Sequence, residues 1–200
     1  PENITSLGEY VFKDCEKLET ITIPSGITSI SSHLCYSCSM LRSVKILGPI
    51  SSIKDHAFSF TRLMSINLPN TLISIENGAF MSCNFDSVDI PDSVTSIGTE
   101  AFDSSYIESL ILPPKITVVS NSICAICYYL KSVQIPVGVK SIGRQSFRFC
   151  KVLTTINIPE TVTTIGGYAF GSCVKLPNLV IPESVNQIDD YAFSECTTFT

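Results

Sequence analysis

The sequence of 200 residues contains no tryptophan, only two histidines and few charged side chains, which make up 16% of the total. The net charge is −5, and the lysines and arginines are scattered along the chain instead of forming a basic stripe. This distribution argues against a nucleic-acid-binding protein, because phosphate recognition requires clustered positive charge. No apolar run approaches the roughly 18 residues that a membrane-spanning helix requires, and no signal peptide is visible.

The motifs of the common enzyme classes are absent as well. The chain has no nucleophile elbow, Walker loop, HExxH motif or glycine-rich dinucleotide turn. The acidic pair Asp189-Asp190 is typical of the first turn of a helix and not of a catalytic dyad. We therefore expect that the protein is not an enzyme, and we predict no catalytic residues, no cofactor and no metal site.

The chain instead contains one motif that recurs from end to end, at a spacing of 23 residues that shortens to 22 in three units. Its most complete copy, PETVTTIGGYAFGSCVKLPNLVI, runs from Pro159 to Ile181. With that proline as position 0, positions 3 and 6 are aliphatic in every unit, which identifies an internal repeat. The repeats are residues 1–23, 24–46, 47–68, 69–90, 91–112, 113–135, 136–158, 159–181 and a partial 182–200. We predict one domain over residues 1–200. We also expect it to be a segment of a longer protein, because no strand precedes the first repeat and the last stops before its own.

Positions 10 and 11 of each repeat usually hold a small residue followed by phenylalanine. In two repeats the phenylalanine is replaced by Cys35 or Cys124, and the residue before it is then the larger Leu34 or Ile123. Compensation of this kind conserves volume, which packed cores tolerate far better than a void. The two positions are therefore predicted to fill one buried pocket.

Each repeat ends in an alternating apolar pair such as Ile156 and Ile158, which predicts a short β-strand stopped by proline. Positions 6 to 14 have apolar residues about four apart and predict a helical turn or one short helix. The glycines at position 7 and the Gly166-Gly167 pair are predicted to allow positive φ in a turn. Because no repeat can bury its own apolar face, successive repeats must stack with their strands in parallel. The predicted fold class is an α/β repeat solenoid with one short parallel strand and one short helical segment per repeat.

The pattern LxxIxIPxxVTxIGxxAFxxCxxL, read from Leu153 to Leu176, resembles the BspA-like, or treponemal-type, leucine-rich repeat. The resemblance covers essentially the whole chain. It departs from the pattern where Leu47 replaces the proline and where Thr61 and Ser105 replace the cysteine. The resemblance implies a curved, right-handed leucine-rich solenoid. It also implies a cell-surface or secreted protein, since several members of that family are adhesins for host matrix or cell surfaces.

The nine cysteines suggest disulfides or zinc until they are placed in the repeat. Seven of them share position 14: Cys15, Cys38, Cys83, Cys127, Cys150, Cys173 and Cys196. The two CxxC pairs, Cys35/Cys38 and Cys124/Cys127, lie four repeats apart and cannot converge on one zinc ion. Equivalent side chains in a ladder point in parallel, whereas a disulfide needs converging Cβ atoms. We predict a structural column of buried free thiols, with disulfides between adjacent repeats as the alternative.

The two histidines, His33 and His56, both fall at position 9 of neighbouring repeats. One interpretation is a two-histidine metal or pH-sensing site. The other is an exposed column on a helix face, which in other repeats holds tyrosine, glutamate or glutamine. Two ligands without a neighbouring carboxylate column make a poor metal site, so we favour the exposed column.

The outward-facing residues of the predicted strands form the candidate binding face, on the concave sheet. One outward column is almost uniformly small and hydroxylated: Thr20, Ser43, Ser65, Ser87, Ser109, Ser132, Thr155 and then Asn178. The next column varies from repeat to repeat: Thr22, Lys45, Asn67, Asp89, Ile111, Gln134, Asn157 and Val180. Variation within a regular array is expected of a recognition surface, although drift on a solvated face produces the same pattern.

These observations favour a non-enzymatic, adhesin-like binding module at the cell surface or secreted. Its predicted partner is a host or matrix protein or a glycoconjugate, held on the concave face, and not nucleic acid or a membrane. The alternative is an intracellular or structural scaffold whose repeats space other domains.

Overall fold

The computed structural model describes residues 3–177 and 179–198. Asn178 of the hydroxylated column lies outside the described residues, as do Pro1 and Glu2 of the first repeat and Phe199 and Thr200 of the last.

Short strands alternate with turns along the whole described chain. The strands are β1 (Thr20–Ile23), β2 (Ser29–Ile30), β3 (Ser43–Ile46), β4 (Ser52–Ile53), β5 (Ser65–Ile66), β6 (Ser74–Ile75), β7 (Ser96–Ile97), β8 (Ser109–Ile111), β9 (Val118–Val119), β10 (Ser132–Gln134), β11 (Ser141–Ile142), β12 (Thr155–Ile156), β13 (Thr164–Ile165) and β14 (Gln187–Ile188).

The strands form two parallel ladders that run along the molecule. The front sheet contains the predicted strands, in the orders β1-β3-β5 and β12-β10-β8. The side sheet, which the sequence pattern did not predict, contains β2-β4-β6-β7 and β14-β13-β11-β9. Equivalent positions of successive repeats lie opposite each other, as Ser43 does Ser65 and Ser132 does Thr155. The predicted parallel solenoid is therefore confirmed.

The predicted helical segment is wrong, because the described residues contain no helix. Its place is taken by a chain of turns in which positions 9 and 13 are left-handed in every repeat, with φ between 50° and 63°. Position 9 holds Tyr10, His33, His56, Gly78, Glu100, Ser122, Gln145, Tyr168 and Tyr191. Position 13 holds Asp14, Ser37, Phe60, Ser82, Ser104, Ile126, Phe149, Ser172 and Glu195.

The hydrogen bonds of these turns explain why a helix does not form. An α-helix directs every N–H group to a carbonyl four residues back in the same segment. Here the N–H groups of His33, Cys35 and Ser37 donate across to the next repeat, over 2.9, 2.8 and 2.9 Å. Those of Tyr36 and Cys38 donate to the carbonyl three residues back. The left-handed residues direct alternate N–H groups towards the next repeat. The segment therefore forms hydrogen bonds with its neighbour instead of the internal bonds of a helix.

The core is a set of side-chain columns that stack between repeats. Phe58, Phe80 and Phe102 are fully buried, with neighbouring ring centroids 5.8 and 5.7 Å apart and both pairs of planes within 11° of parallel. In the repeats without this phenylalanine, Leu34 with Cys35 and Ile123 with Cys124 are buried at the same positions. The pocket predicted to be shared by positions 10 and 11 stays filled in both kinds of repeat.

The glycines at position 7 do not adopt the predicted conformation. The described glycines with positive φ are Gly78 and Gly138, so the prediction is wrong for Gly167 and for all the glycines at position 7, which are Gly8, Gly98, Gly143 and Gly166. A Cβ atom at Gly166 would lie 2.6 Å from the main-chain nitrogen of Arg144 in the preceding repeat. Gly166 is therefore required by the close approach of two backbones.

Candidate binding face

The variable outward column of the front sheet is exposed at every position, from Thr22 to Val180. Strand alternation causes this, because Ile23 is fully buried beneath the exposed Thr22. Parallel register places Thr22 beside Lys45 and Ile111 beside Gln134. Ile111 is 62% exposed and Val180 81% exposed, so the column presents apolar as well as polar side chains to solvent.

Asn157 has a structural role that its place in the variable column did not reveal. Its amide oxygen accepts the Ile135 main-chain N–H at 3.1 Å, and its amide nitrogen donates to the Ile135 carbonyl at 3.0 Å. The side chain thus satisfies main-chain groups of the neighbouring repeat beyond the short strand β12. Because both ends of its amide are engaged, Asn157 is less available to a ligand than Lys45 or Gln134.

The front sheet is interrupted at the fourth repeat. Residues 87–90 were predicted to form a strand between β5 and β8, but no strand forms there, although Val88 is buried in the core. Residues 179–181 of the eighth repeat also lack the predicted strand. At the first interruption the surface forms a concavity of about 420 Å³, which Asp89, Ile111 and Gln134 help to line.

Further concavities continue along the same face. One of about 370 Å³ lies over Ile111, Gln134 and Asn157, and another of about 380 Å³ lies over Lys45 and Asn67. Six of the eight residues of the variable column therefore line recessed surface. At the edge of the sheet, the exposed Lys131 Nζ lies 2.6 Å from Glu108 Oε2.

The cysteines of position 14 point their thiols at the backbone of the preceding repeat. Six of them donate an S–H···O hydrogen bond to the carbonyl at position 11, over 2.9 to 3.3 Å: Cys38, Cys83, Cys127, Cys150, Cys173 and Cys196. Thr61 fills the same position in its own repeat, where its hydroxyl donates to the Phe58 carbonyl at 2.9 Å. The prediction of burial is wrong for Cys15, which is exposed. Cys15 lies in the first repeat, and no described repeat packs against its N-terminal side.

Burial also suppresses the chemistry of three of these thiols, whereas a hydrogen bond with Cys35 lowers the pKa of Cys38. Burial raises the pKa of Cys83 to about 12 and also raises the pKa values of Cys150 and Cys173 above their usual range. Thiols that stay protonated at neutral pH are poor nucleophiles and poor metal ligands. Among the described residues, no group of three or more histidine, cysteine or acidic side chains is arranged to hold a metal ion.

His33 and His56 belong to an aromatic stack and not to the predicted exposed helix face. The His33 ring lies 4.6 Å from Tyr10 and 5.1 Å from His56, centroid to centroid, and both histidines are half-buried. Burial, followed by the positive charge of His56, lowers the pKa of His33. The stack ends at Gly78, because the His56 ring occupies the space that a Cβ atom there would need.

A second aromatic cluster lies where the turns lead into the front sheet. Tyr106 and Tyr129 are stacked with centroids 5.2 Å apart, and Tyr128 lies beside Lys151 Nζ at 5.5 Å. The three tyrosines are about half exposed and line a concavity of about 210 Å³. The consecutive tyrosines 128 and 129 were a signal in the sequence, but a single dipeptide did not indicate that Tyr106 would join them.

Across the part of the chain that the structure describes, no helix is long and apolar enough to span a membrane. No curated protein matches the sequence. A family model described as the BspA type leucine rich repeat region matches the chain in six copies, over residues 1–83 and 73–200.

Solved structures of bacterial leucine-rich repeat proteins share the fold. A leucine-rich repeat protein from Bacteroides ovatus is 32% identical, with a TM-score of 0.87 over 92% of this chain and 49% of that one. A leucine rich cell surface protein from Faecalibacterium prausnitzii is 27% identical, with a TM-score of 0.64 over 98% of this chain and 62% of that one. A protein from Eubacterium ventriosum, 23% identical over 90% of this chain and 52% of that one, has the same fold with a TM-score of 0.72. The chain thus spans about half the length of the Bacteroides ovatus protein.

Proposed function

The chain belongs to the BspA-type leucine-rich repeat family, and from that membership we propose that it is a non-enzymatic binding module whose ligand lies on the front sheet. Leucine-rich repeat domains are protein-binding modules, and their regular scaffold presents one residue per repeat in a fixed array. The proposed ligand is a host protein, a matrix protein or a glycoconjugate.

The observation that carries this proposal is the contrast between the two outward columns of the front sheet. The hydroxylated column is nearly constant, whereas the neighbouring column changes in charge, size and polarity from repeat to repeat. That variable column is exposed at all eight positions, and six of them line recessed surface. Recessed surface with varied polar and apolar groups suits specific recognition.

We also propose that the protein acts at the cell surface, as an adhesin. The support is the Faecalibacterium prausnitzii cell surface protein, which is 27% identical and aligns with 98% of this chain. The test is antibody labelling of intact source cells, with permeabilised cells as the control. Labelling of intact cells is the expected result. Signal only after permeabilisation would contradict surface display and would favour an intracellular scaffold.

The face itself is tested by exchanging Lys45, Asp89 and Gln134 together for alanine. The variant and the wild-type protein are applied to immobilised extracellular-matrix proteins and mucin glycans, and binding is measured by biolayer interferometry. We expect at least a tenfold loss of affinity for the component that the wild type binds, because about 1.4 kcal/mol of contact energy is enough for that change. The melting temperature should stay nearly constant, since all three side chains are exposed.

A matched control carries the same kinds of change outside the face. Lys140, Glu160 and Asn186 are exposed and comprise a cation, an anion and an amide. Their triple alanine variant should bind as the wild type does. Unchanged affinity in the Lys45, Asp89 and Gln134 variant would show that the ligand is held elsewhere.

A further inference from the structure

The groove at the fourth-repeat interruption of the front sheet contains main-chain groups without hydrogen-bond partners in the described part of the chain. Among the described residues, none forms a main-chain hydrogen bond with residues 87–90. These groups lie along the concavity of about 420 Å³, which we call the fourth-repeat groove. An extended peptide satisfies such groups with its own N–H and C=O groups, as in strand addition to a sheet edge.

The charge of the fourth-repeat groove is of one sign. Asp89 and Asp92 are the charged side chains among its lining residues. Both are exposed, and neither carboxylate forms an ion pair or a hydrogen bond with another described residue. They are therefore free to bind a cation. Two carboxylates alone do not complete a metal site, since a divalent ion takes six or more oxygen ligands.

The remainder of the groove is apolar. Ile111, which is 62% exposed, lines the groove together with Pro113, Pro114 and Pro136. A long cationic side chain fits both parts, because its methylene stem packs on apolar surface while its charged end stays with the carboxylates. Arginine fits better than lysine, since its planar guanidinium donates two parallel hydrogen bonds to a carboxylate.

We propose that the fourth-repeat groove binds an arginine-containing segment of the protein partner in extended conformation. The guanidinium lies between Asp89 and Asp92, the stem lies on Ile111 and the prolines, and the main chain bonds residues 87–90. This assignment rests on the proposed binding function of the front sheet and adds the chemical class of the ligand.

The test uses a fluorescein-labelled alanine-serine peptide with one central arginine, and the same peptide with citrulline in its place. Citrulline keeps the shape of arginine and removes its charge. We expect fluorescence anisotropy to show binding of the arginine peptide to the wild-type protein. The citrulline peptide, and the Asp89→Asn/Asp92→Asn variant with the arginine peptide, should each bind at least about tenfold more weakly.

A control variant separates the groove from general acidity. Asp189→Asn/Asp190→Asn removes the same two charges from an exposed pair outside the groove and should bind the arginine peptide as the wild type does. Ile111→Ser tests the apolar part and should also weaken binding. Equal binding to the wild type and the Asp89→Asn/Asp92→Asn variant, or no binding at millimolar protein, would overturn the proposal.

Failure here is distinguishable from failure of the proposed function. In one outcome, the alanine exchange of Lys45, Asp89 and Gln134 abolishes capture of a matrix component, but the arginine peptide does not bind the groove. The front sheet then binds the matrix component, and the groove does not recognise arginine. If neither experiment responds, both the face and the groove are excluded as binding surfaces.

Discussion

At the scale of single residues, the cysteine column shows how a small side chain can donate a hydrogen bond to a main-chain carbonyl of the neighbouring repeat. The thiol of Cys173 donates to the Phe147 carbonyl at 3.1 Å, and that carbonyl also accepts the Cys150 N–H at 3.2 Å. Thr61 occupies the same position and bonds a carbonyl too, so the position requires a compact donor and not sulfur chemistry. The signal for that requirement in the sequence is the replacement of cysteine by Thr61 and Ser105 at this position. It did not predict that the acceptor lies in the preceding repeat.

The thiols should differ sharply in reactivity under native conditions. Cys15 is exposed, whereas Cys83 is fully buried and its pKa is raised to about 12. We expect iodoacetamide at pH 8 to modify Cys15 and to leave the other eight cysteines unmodified, as read by peptide mass spectrometry. Denatured protein, in which all nine react, is the control. Rapid native modification of Cys83 would contradict the packing of its repeat.

Acidification should destabilise the protein through His33. Burial and the charge of His56 lower the pKa of His33 in the folded state, while Asp55 and Glu9 partly oppose this effect. The unfolded chain, with a histidine pKa near 6.5, then binds more protons than the folded chain. Stability is therefore retained above pH 6.5 and falls as the pH drops from 6.5 to the lower folded value. Chemical denaturation of the wild type at pH 7.5 and pH 5 measures the loss.

The matched variant for this prediction is His33→Asn, because asparagine tolerates the left-handed conformation of this position. The variant should lose less stability than the wild type between the two pH values. An equal loss in both proteins would assign the pH dependence to other groups.

At the scale of elements, the front-sheet strands were predictable and the turns were not. Alternation of buried and exposed residues, as in Thr22 and Ile23, extends far enough to be read as a strand. The side sheet uses two residues per repeat, such as Ser52 and Ile53, which is too short to show alternation. Apart from Gly78, the left-handed positions carry residues other than glycine, of types as varied as tyrosine, serine, glutamate and isoleucine, so no residue type marked them.

The shared pocket of positions 10 and 11 predicts a compensating pair of substitutions. Phe80→Cys should destabilise the protein by about 3 kcal/mol, because it leaves a void in the phenylalanine stack. Ala79→Ile alone should cost about 1–3 kcal/mol by overpacking. The double variant reproduces the Ile123-Cys124 arrangement and should be more stable than the sum of the two predicts, by about 1–3 kcal/mol. Urea unfolding measures all three, and strict additivity would show that the two positions do not share a pocket.

The close approach of backbones at position 7 predicts that two glycines of the same column behave differently. Gly166→Ala should destabilise by about 1–3 kcal/mol, since its Cβ would lie 2.6 Å from the Arg144 nitrogen. At Gly8 the nearest atom, a methyl carbon of Val11, lies 3.6 Å away, which is an ordinary contact. Gly8→Ala should be neutral or stabilising by about 0.4–1 kcal/mol. Thermal unfolding of the two variants compares them, and equal shifts would contradict the packing argument.

At the scale of the whole molecule, the stacking of repeats followed from the sequence, whereas the continuity of each sheet did not. The period predicted which residues would line up, including Thr22 with Lys45. The fourth repeat carries the same apolar pattern at Val88 and Ile90 as its neighbours, yet the main chain of residues 87–90 has no hydrogen-bond partner among the described residues. Apolar pattern reports burial, and burial of Val88 is achieved without the hydrogen bonds of a strand.

This interruption should appear in hydrogen exchange as a fast segment within a slow face. Within residues 3–177 and 179–198, no carbonyl accepts the amides of residues 87–90, whereas Val133 lies in the paired strand β10. We expect the segment to exchange with little protection while residues 132–134 exchange slowly, as measured by peptide-level mass spectrometry. Val88 and Val133 are both buried, so a difference in their exchange rates reports hydrogen bonding and not burial. Equal protection of the two segments would show that the sheet is continuous.

The constant register of the repeats has a consequence for inheritance. Successive repeats stack in one common backbone register, because equivalent positions such as Ser29 and Ser52 lie opposite each other. Unequal recombination within the gene that adds or removes a whole repeat therefore preserves that register. Each such event lengthens or shortens the front sheet by one residue of its variable column. A lineage can thus alter what this surface recognises by copying a repeat and letting one codon diverge.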